Sequence, residues 1–542
     1  MDNQLLENVV VTETDLAQRG FEDGLLDPTL FSAPSRETRR KQSRAEFIST
    51  EGLSEVARWA GYQQYQPPGN VDPWVSEAMK QYDRSKYDDL KGYTRRGEAL
   101  PGMYKSLKKY EGTVARFTDF SERQRQAMVR AIGKARSAFR TPEKMQPYRP
   151  HQVGQHIKTD TSAGFTFPGL RKKDCMEEIY QEARWLAHRI KSGGRRRFDP
   201  RRVRFAPCLA GSRGHLSPRD DVKTRLVWVY PAEMLVVEGL FAPIIYNGLA
   251  TLPNGPLMLG KSSQRLFSEW LANYKEGEIL HGLDFSAFDT HVPPWLIHVA
   301  FDILKQNIDF EYDGNVPNTK KGQIKLSNLW NAVVWYFINT PILMPDGRMF
   351  RKRHGVPSGS YFTQLIDSVV SYILISYVCD LQGLEPRNLK VLGDDSQFRS
   401  PFSLDLDRAQ SDCDACAMNL SVVKCEQTKD PTQFKSLGLR YKNSHGYRDD
   451  DDWFKFAIYP EQPPPDLRTS MSRLVGLWLG GAMFSKAFVS FFEYYQSCYP
   501  VPSSGQFSKE QRRWMEIQRG GRAPLGWSVK TDLFWRSIFY TL

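Results

Sequence analysis

DFSAFD at 284–289, PSGSYFTQLID at 357–367 and LGDDS at 392–396 decide the fold of this chain. The run HGL leads into Asp284, and LKVL leads into Gly393 and Asp394. Each reads as a strand that stops at a carboxylate. Two such strand ends side by side gather Asp284, Asp394 and Asp395 into one cluster. Three carboxylates in a small volume at neutral pH demand a counter-charge. A divalent cation supplies it. Hard oxygen ligands suit Mg²⁺, which takes its other ligands from water and phosphate. This is equipment for nucleotidyl transfer with two metal ions about 4 Å apart. Gly393 permits the tight turn that aims two successive carboxylates at the site. Asp284 and Asp394 are the expected ligands, with Asp395 in support.

The middle string reads as a glycine-bearing loop running into a long helix, with Ser358 and Gly359 at its mouth. Thr363 and Asp367 are four apart and share one helix face. Asp367 is expected to accept a hydrogen bond from Ser358 or Thr363. Upstream, KTRLVWVYP at 223–231 reads as a strand whose alternation sends Lys223 and Arg225 to one side.

Two Asp five residues apart, then SGxxxT, then GDD, in that order, resemble the palm of a viral RNA-dependent RNA polymerase over about residues 275–445. PSGSYFTQLIDS followed by LGDDS is similar to the polymerases of bipartite double-stranded RNA viruses, the partitiviruses first and the picobirnaviruses next. The resemblance implies an α+β right hand: fingers, a palm of antiparallel sheet flanked by helices, and a mostly helical thumb. It implies an N-terminal extension over 1–60, fingers over 61–270 and palm over 271–300. A fingers insertion follows over 301–350, more palm over 351–446, and thumb with a C-terminal segment over 447–542.

The implied activity is RNA-directed RNA polymerisation, replicating and transcribing a double-stranded RNA genome with two Mg²⁺ ions, for which Mn²⁺ can substitute. Lys223 and Arg225 fall on the family's element that covers the incoming triphosphate, with Arg219 nearby as an RNA contact. Asp289 and Ser358 fall on the ribose, with Gly359, Thr363 and Asp367 around the nucleotide. Positive-strand polymerases often carry Asn where this chain has Asp367, and the double-stranded RNA families share the departure. TDTSAGFTFPG at 159–169 resembles the template-entry string, which makes Thr161, Ser162 and Gly164 template contacts. FKSLGLRYKNSHG at 434–446 resembles the hairpin that grips the primer strand, centred on Leu437, Gly438 and Arg440. A lysine after the palm helix protonates pyrophosphate in this class. Lys424 is the candidate and Lys429 the alternative. Implied partners are template and product RNA, NTPs and a viral capsid protein, with no membrane and no DNA, in the host cytoplasm within the virion.

Two rival readings fit less of the sequence. A reverse transcriptase would carry a Tyr-rich DD turn rather than GDD. A non-catalytic RNA-binding replication protein has no need for carboxylates facing RNA.

Composition agrees with a polyanionic partner. The 542 residues exceed one ordinary core, so two or three lobes are expected, and the net charge is +12 with pI near 9.2. Seven Cys in so long a chain make no disulfide framework. Cys413 and Cys416 lie in DRAQSDCDACAMNL, whose periodicity is helical, with both cysteines on the helix; DRAQSDCDACAMNLSVVK at 407–424 reads as that helix followed by a short strand. The N-terminus has acidic residues where a secretory signal is basic. FTQLIDSVVSYILISYVCD at 362–380 nears membrane-span length but carries Gln364 and Asp367, so a buried helix is expected.

Six further stretches carry structural or charge patterns. SRETRRKQSR at 35–44 is a basic run in an extension lying on the body. EVARWAGYQQYQPP at 55–68 and SERQRQAMVRAIGKARSAF at 121–139 read as helical, the second with Arg and Lys on its open face. GGRRRFDPRRVRF at 193–205 offers guanidinium forks for phosphate and Phe rings for base stacking. MSRLVGLWLGGAMFSKAFVSFFEYYQSCYP at 471–500 reads as thumb helices, and QRRWMEIQRGGRAPLGW at 511–527 as a loop at the RNA exit.

Overall fold

The segment Thr363–Leu381 spreads apolar residues around most of its circumference, so the helix it forms has to be largely enclosed. It is long and apolar enough to cross a membrane, yet 83% of its apolar window lies inside the protein. It ends in a Schellman motif: Gly383 adopts φ +71°, Leu384 N bonds Cys379 O at 2.8 Å, and Gly383 N bonds Asp380 O at 3.1 Å. The computed structural model describes residues 50–499 except 63–70, 96–99, 113, 193–197, 259–262, 314–315 and 443–444. The basic run at 35–44 and the stretch at 511–527 lie outside the described residues.

Against this helix lies a four-stranded antiparallel sheet in the order Arg387–Leu392, Asp395–Ser400, Ile279–Gly282, Glu426–Thr428. The first two strands form a hairpin, with Leu392 opposite Asp395 and only Gly393 and Asp394 in the turn. The third strand delivers the chain to Asp284. A five-stranded sheet has the order Leu53–Arg58, Arg348–Lys352, Pro341–Leu343, Cys208–Gly214, Thr224–Val229. All its pairings are antiparallel except Cys208–Gly214 with Pro341–Leu343.

The helix Glu122–Ala138 packs beside the central helix and opens on a capping box between Ser121 and Gln124. Its open face carries Arg123 and Arg130, both exposed, yet its cations are also engaged with neighbouring elements. Arg123 Nη2 donates to Leu381 O at 2.7 Å, Arg130 pairs with Asp380 at 2.6 Å and Lys134 with Glu385 at 2.7 Å. They hold the C-terminal end of the central helix, where cations also offset the carbonyl dipoles.

A second core joins the helices Pro73–Tyr82, Asp450–Ile458, Leu467–Leu479 and Lys486–Cys498. Asp72 caps the first of these, accepting from Val75 N at 3.2 Å, with Pro73 at the position that needs no amide donor. The same buried carboxylate accepts from Ser470 Oγ at 2.7 Å and pairs with Arg473. The expectation of helices after residue 447 is met over 450–498.

Three local readings are corrected. Leu53–Arg58, which overlaps the start of the expected helix at 55–68, is a strand, because pairing with Arg348–Lys352 overrides local propensity. The helix Leu406–Asp414 stops before Cys416; Ala417 turns left-handed at φ +57° and Met418 N reaches back to Cys413 O. Both cysteines are fully buried. The rings of GGRRRFDPRRVRF do not stand free for bases: Phe205 is 2% exposed, with Trp335 and Tyr336 at 5.3 Å, and Phe198 packs beside it. Its residues 193–197 lie outside the described set.

Candidate active site

Two strand ends and one tight turn bring the carboxylates together, as alternation and Gly393 required. Gly393 adopts φ +68°, and its amide donates to Ser368 Oγ of the central helix at 2.8 Å. Asp394 and Asp395 reach solvent, with protein around their remaining sides. That enclosure first, then Asp394 and Asp284, push the Asp395 carboxyl up to about 6. Enclosure also pushes Asp394 upward, as does Asp284, while Arg225 and Lys424 pull it back. Lys424 Nζ stands 3.4 Å from Asp284 Oδ1. The backbone of Asp284 is held by Ser421 N, which donates to its carbonyl at 2.8 Å, and by Cys425 Sγ, which accepts from its amide at 3.4 Å.

Ser396 links the two carboxylate-bearing segments. Its hydroxyl accepts from Leu283 N at 3.3 Å and donates to Leu283 O at 3.2 Å, one residue before Asp284. Sequence reasoning missed this role, since the partner lies 113 residues away and no local pattern marks it.

Asp289 sits in the first turn after Ala287, which is left-handed at φ +54°, and its carbonyl accepts from Val356 N at 2.6 Å. Burial first, then Asp394, push its carboxyl up to about 6, with Arg225 pulling the other way. It hydrogen-bonds Asp367, which is 4% exposed and raised well above the carboxylate range by burial and by Asp289 and Asp394. Both carboxyls are thus raised by burial and by the neighbouring acids, which favours a proton held within the pair. Neither expected donor is bonded to Asp367 in the described residues: Ser358 Oγ accepts from Trp228 N at 3.2 Å, and the Thr363 hydroxyl is shared between Pro357 O at 2.7 Å and Ser360 O at 3.0 Å. Gly359 is obligatory, because a Cβ there would lie 1.8 Å from Trp228 O.

Arg225 is an exposed strand residue whose charge reaches Asp289, Asp394 and Asp395. Lys223 precedes the strand, faces solvent and lies 3.6 Å from Asp221. Arg219 leans on the backbone at 92–93, with Nε 3.3 Å from Tyr93 O. The two cations drawn to one side by alternation thus divide, and only Arg225 belongs to the carboxylate cluster.

In the 159–169 loop, Thr161 and Ser162 are exposed and Gly164 adopts φ +87°, its amide donating to Ser162 Oγ at 3.2 Å. Buried Lys172, which sequence reasoning also missed, donates to Thr161 Oγ1 and Ser162 O, each at 2.7 Å; burial pulls its ammonium down to about 8. Leu437 and Gly438, at φ +49° and +76°, form the two-residue turn of a hairpin in which Lys435 faces Arg440. Arg440 is exposed, and the charge of Lys435 reaches Asp395.

The donor set of Asp284, Asp394 and Asp395 is all oxygen and mutually repelling, which fits a hard divalent cation. Among the described residues no three His, Cys, Asp or Glu side chains close on a point at ligating distance. The carboxylates form an acidic seat and not a finished coordination sphere.

The chain matches the model of the viral RNA-dependent RNA polymerase family over residues 60–496. It is 31% identical over 294 residues to the RNA-directed RNA polymerase of Cryptosporidium parvum virus 1, covering 52% of this chain and 48% of that protein. It is 26% identical over 335 residues to the RNA-directed RNA polymerase of White clover cryptic virus 1, covering 55% and 53%. The chain thus spans about half the length of the curated relatives it matches. The crystal structure of an insertion-loop deletion mutant of a human picobirnavirus RNA-dependent RNA polymerase superposes with a TM-score of 0.60 at 15% identity, over 88% of this chain and 92% of that one. That likeness fixes the α+β right-hand fold, with an antiparallel palm and a mostly helical thumb.

Proposed function

The chain belongs to the viral RNA-dependent RNA polymerase family, and from that premise we propose that it copies RNA by attack of a 3′-hydroxyl on the α-phosphate of an NTP, releasing pyrophosphate. The observation that carries the reading is the meeting of Asp284, the Asp394–Asp395 turn and Arg225 in one electrostatic cluster. When bound, two Mg²⁺ ions, or Mn²⁺ in their place, neutralise phosphate charge and activate the attacking hydroxyl. Asp284 and Asp394 would hold them, with Asp395 in support. Arg225 holds the triphosphate and offsets charge on the leaving group. Lys223, two residues before Arg225, adds positive charge toward the triphosphate from the solvent side. Lys424 gives a proton to pyrophosphate. Asp289, Asp367 and Ser358 read the ribose, with Gly359 and Thr363 shaping the loop behind it. Thr161, Ser162 and Gly164 guide the template, Leu437, Gly438 and Arg440 grip the primer strand, and Arg219 adds an RNA contact.

The proposed setting is the virion in the host cytoplasm, with capsid protein as partner and a double-stranded RNA genome replicated and transcribed. The test uses purified protein, a defined RNA template, all four NTPs and Mg²⁺ without primer. Template-length RNA product that disappears on chelation supports the reading, and no incorporation even on a primed template overturns it. Within that assay, Arg225→Ala should raise the apparent KM for NTP about tenfold and Lys223→Ala by less than threefold, since Lys223 is solvated and the charge of Arg225 reaches the carboxylates. Equal effects, or a matching loss of template affinity, would place both cations on the RNA.

A further inference from the structure

The segment that carries Arg225 touches the 357–362 loop at two points. At the first, Trp228 N donates to Ser358 Oγ at 3.2 Å and Gly359 packs against the Trp228 carbonyl. The second lies at the end of the helix Ala232–Glu238, which follows that strand after Pro231. Glu238 is 0% exposed. Its Oε2 accepts from Ser360 Oγ and from Tyr361 N, both at 2.8 Å. Ser360 Oγ in turn accepts from Phe362 N at 3.0 Å. Three consecutive residues of the turn that opens the central helix are thus tied to one side chain.

Glu238 Oε1 is buried without a hydrogen-bond partner. A buried carboxyl with an unmet oxygen costs free energy, and a core position at a helix end is easily filled by an apolar residue. Burial pushes the carboxyl up to about 8, with Ser360 and Tyr361 pulling against it, so the acid is largely neutral at neutral pH. None of the steps proposed above uses it. Its only described polar contacts are to the loop, and its segment is continuous with Arg225.

We propose that Glu238 is a positioning residue for the nucleotide site: it fixes the 358–361 backbone against the strand bearing Arg225, so that the ribose and triphosphate ends of an incoming ribonucleoside triphosphate are held in register. The inference rests on the nucleotide-binding reading of Ser358 and Arg225. Its effect is on geometry, and misplacement of about 1 Å costs on the order of 100-fold in rate.

The experiment measures NTP and dNTP incorporation on one RNA template by the full chain and by E238A, E238Q and S360A, with melting midpoint and RNA affinity in parallel. E238A should lose about tenfold or more in kcat/KM for NTP, chiefly in kcat, and several-fold in preference for NTP over dNTP, with RNA affinity within about twofold. S360A should move the sugar preference the same way, and the double variant should be no worse than E238A. E238Q, which copies the neutral acid in shape and keeps an acceptor, should stay within about threefold of the parent. An unchanged sugar preference in active E238A or S360A overturns the inference, even where the melting midpoint falls, because that pattern is a purely structural role. If E238A fails to fold, S360A decides alone. Absence of template-directed incorporation by the parent chain would instead remove the nucleotide reading beneath it, so the two failures are distinct.

Discussion

Asp394→Asn is expected to abolish nucleotide incorporation while leaving melting midpoint and RNA affinity close to those of the parent chain. The side chain reaches solvent at the tip of a hairpin whose fold is secured elsewhere, by the Leu392–Asp395 pairing and by Ser368 Oγ on Gly393 N. Removing its charge also relieves repulsion with Asp395 and Asp289. Stability therefore holds or rises. Activity falls because a lost ligand removes transition-state charge stabilisation of about 4 kcal/mol, roughly a 10³-fold drop in rate. Asp284→Asn should behave alike, at the further cost of its 3.4 Å pair with Lys424. Both of those side chains are about half exposed, so that pair is worth under about 1 kcal/mol. The measurement is single-turnover incorporation at saturating Mg²⁺ beside thermal melting. Turnover near the parental rate in either variant would remove the metal assignment and the palm reading with it.

Much of this site is legible in sequence because its parts are local. Gly-Asp-Asp after an apolar run specifies a hairpin tip, whereas the hairpin at Leu437-Gly438 follows from the family resemblance, since Leu seldom adopts the φ of +49° found there. The apolar run after Phe362 specifies an enclosed helix. What sequence hid is long-range. Nothing near Leu53–Arg58 announces the strand Arg348–Lys352, and without that partner the segment reads as a helix. Alternation placed Lys223 and Arg225 on one side, but where a strand begins and which end faces the cleft are set by the whole sheet. Ser396, Lys172 and Glu238 act through partners that only the folded chain brings near. Asp367 shows the same limit: its helix face was foreseen, but its partner proved to be the carboxyl of Asp289, an acid against an acid, which hydrogen-bonding habit alone does not suggest.

That acid pair sets the second large effect. Asp289 lies beside the carboxylate cluster, within reach of the charges of Asp394 and Arg225, and is held in place by Val356 N on its carbonyl. The two carboxyls share a hydrogen bond, and Asp367 Oδ1 is buried without a partner of its own. A ribose 2′-hydroxyl both donates and accepts, so it can satisfy such a pair where a deoxyribose cannot. A site built to hydrogen-bond one hydroxyl rejects the analogue lacking it by about 10⁴-fold, because its buried polar groups are left unpaired. Asp289→Ala removes one carboxyl of the pair. It should lower the ratio of NTP to dNTP efficiency on a fixed template by about 10- to 100-fold, with overall activity also falling. Asp289→Asn retains an acceptor oxygen and should keep part of the preference, and Asp367→Ala should share part of the loss. An unchanged ratio in Asp289→Ala, in protein still active enough to measure, would exclude the pair from sugar choice. The role would then pass to Ser358, whose exposed hydroxyl already holds the amide of Trp228 and stands at the mouth of the same loop.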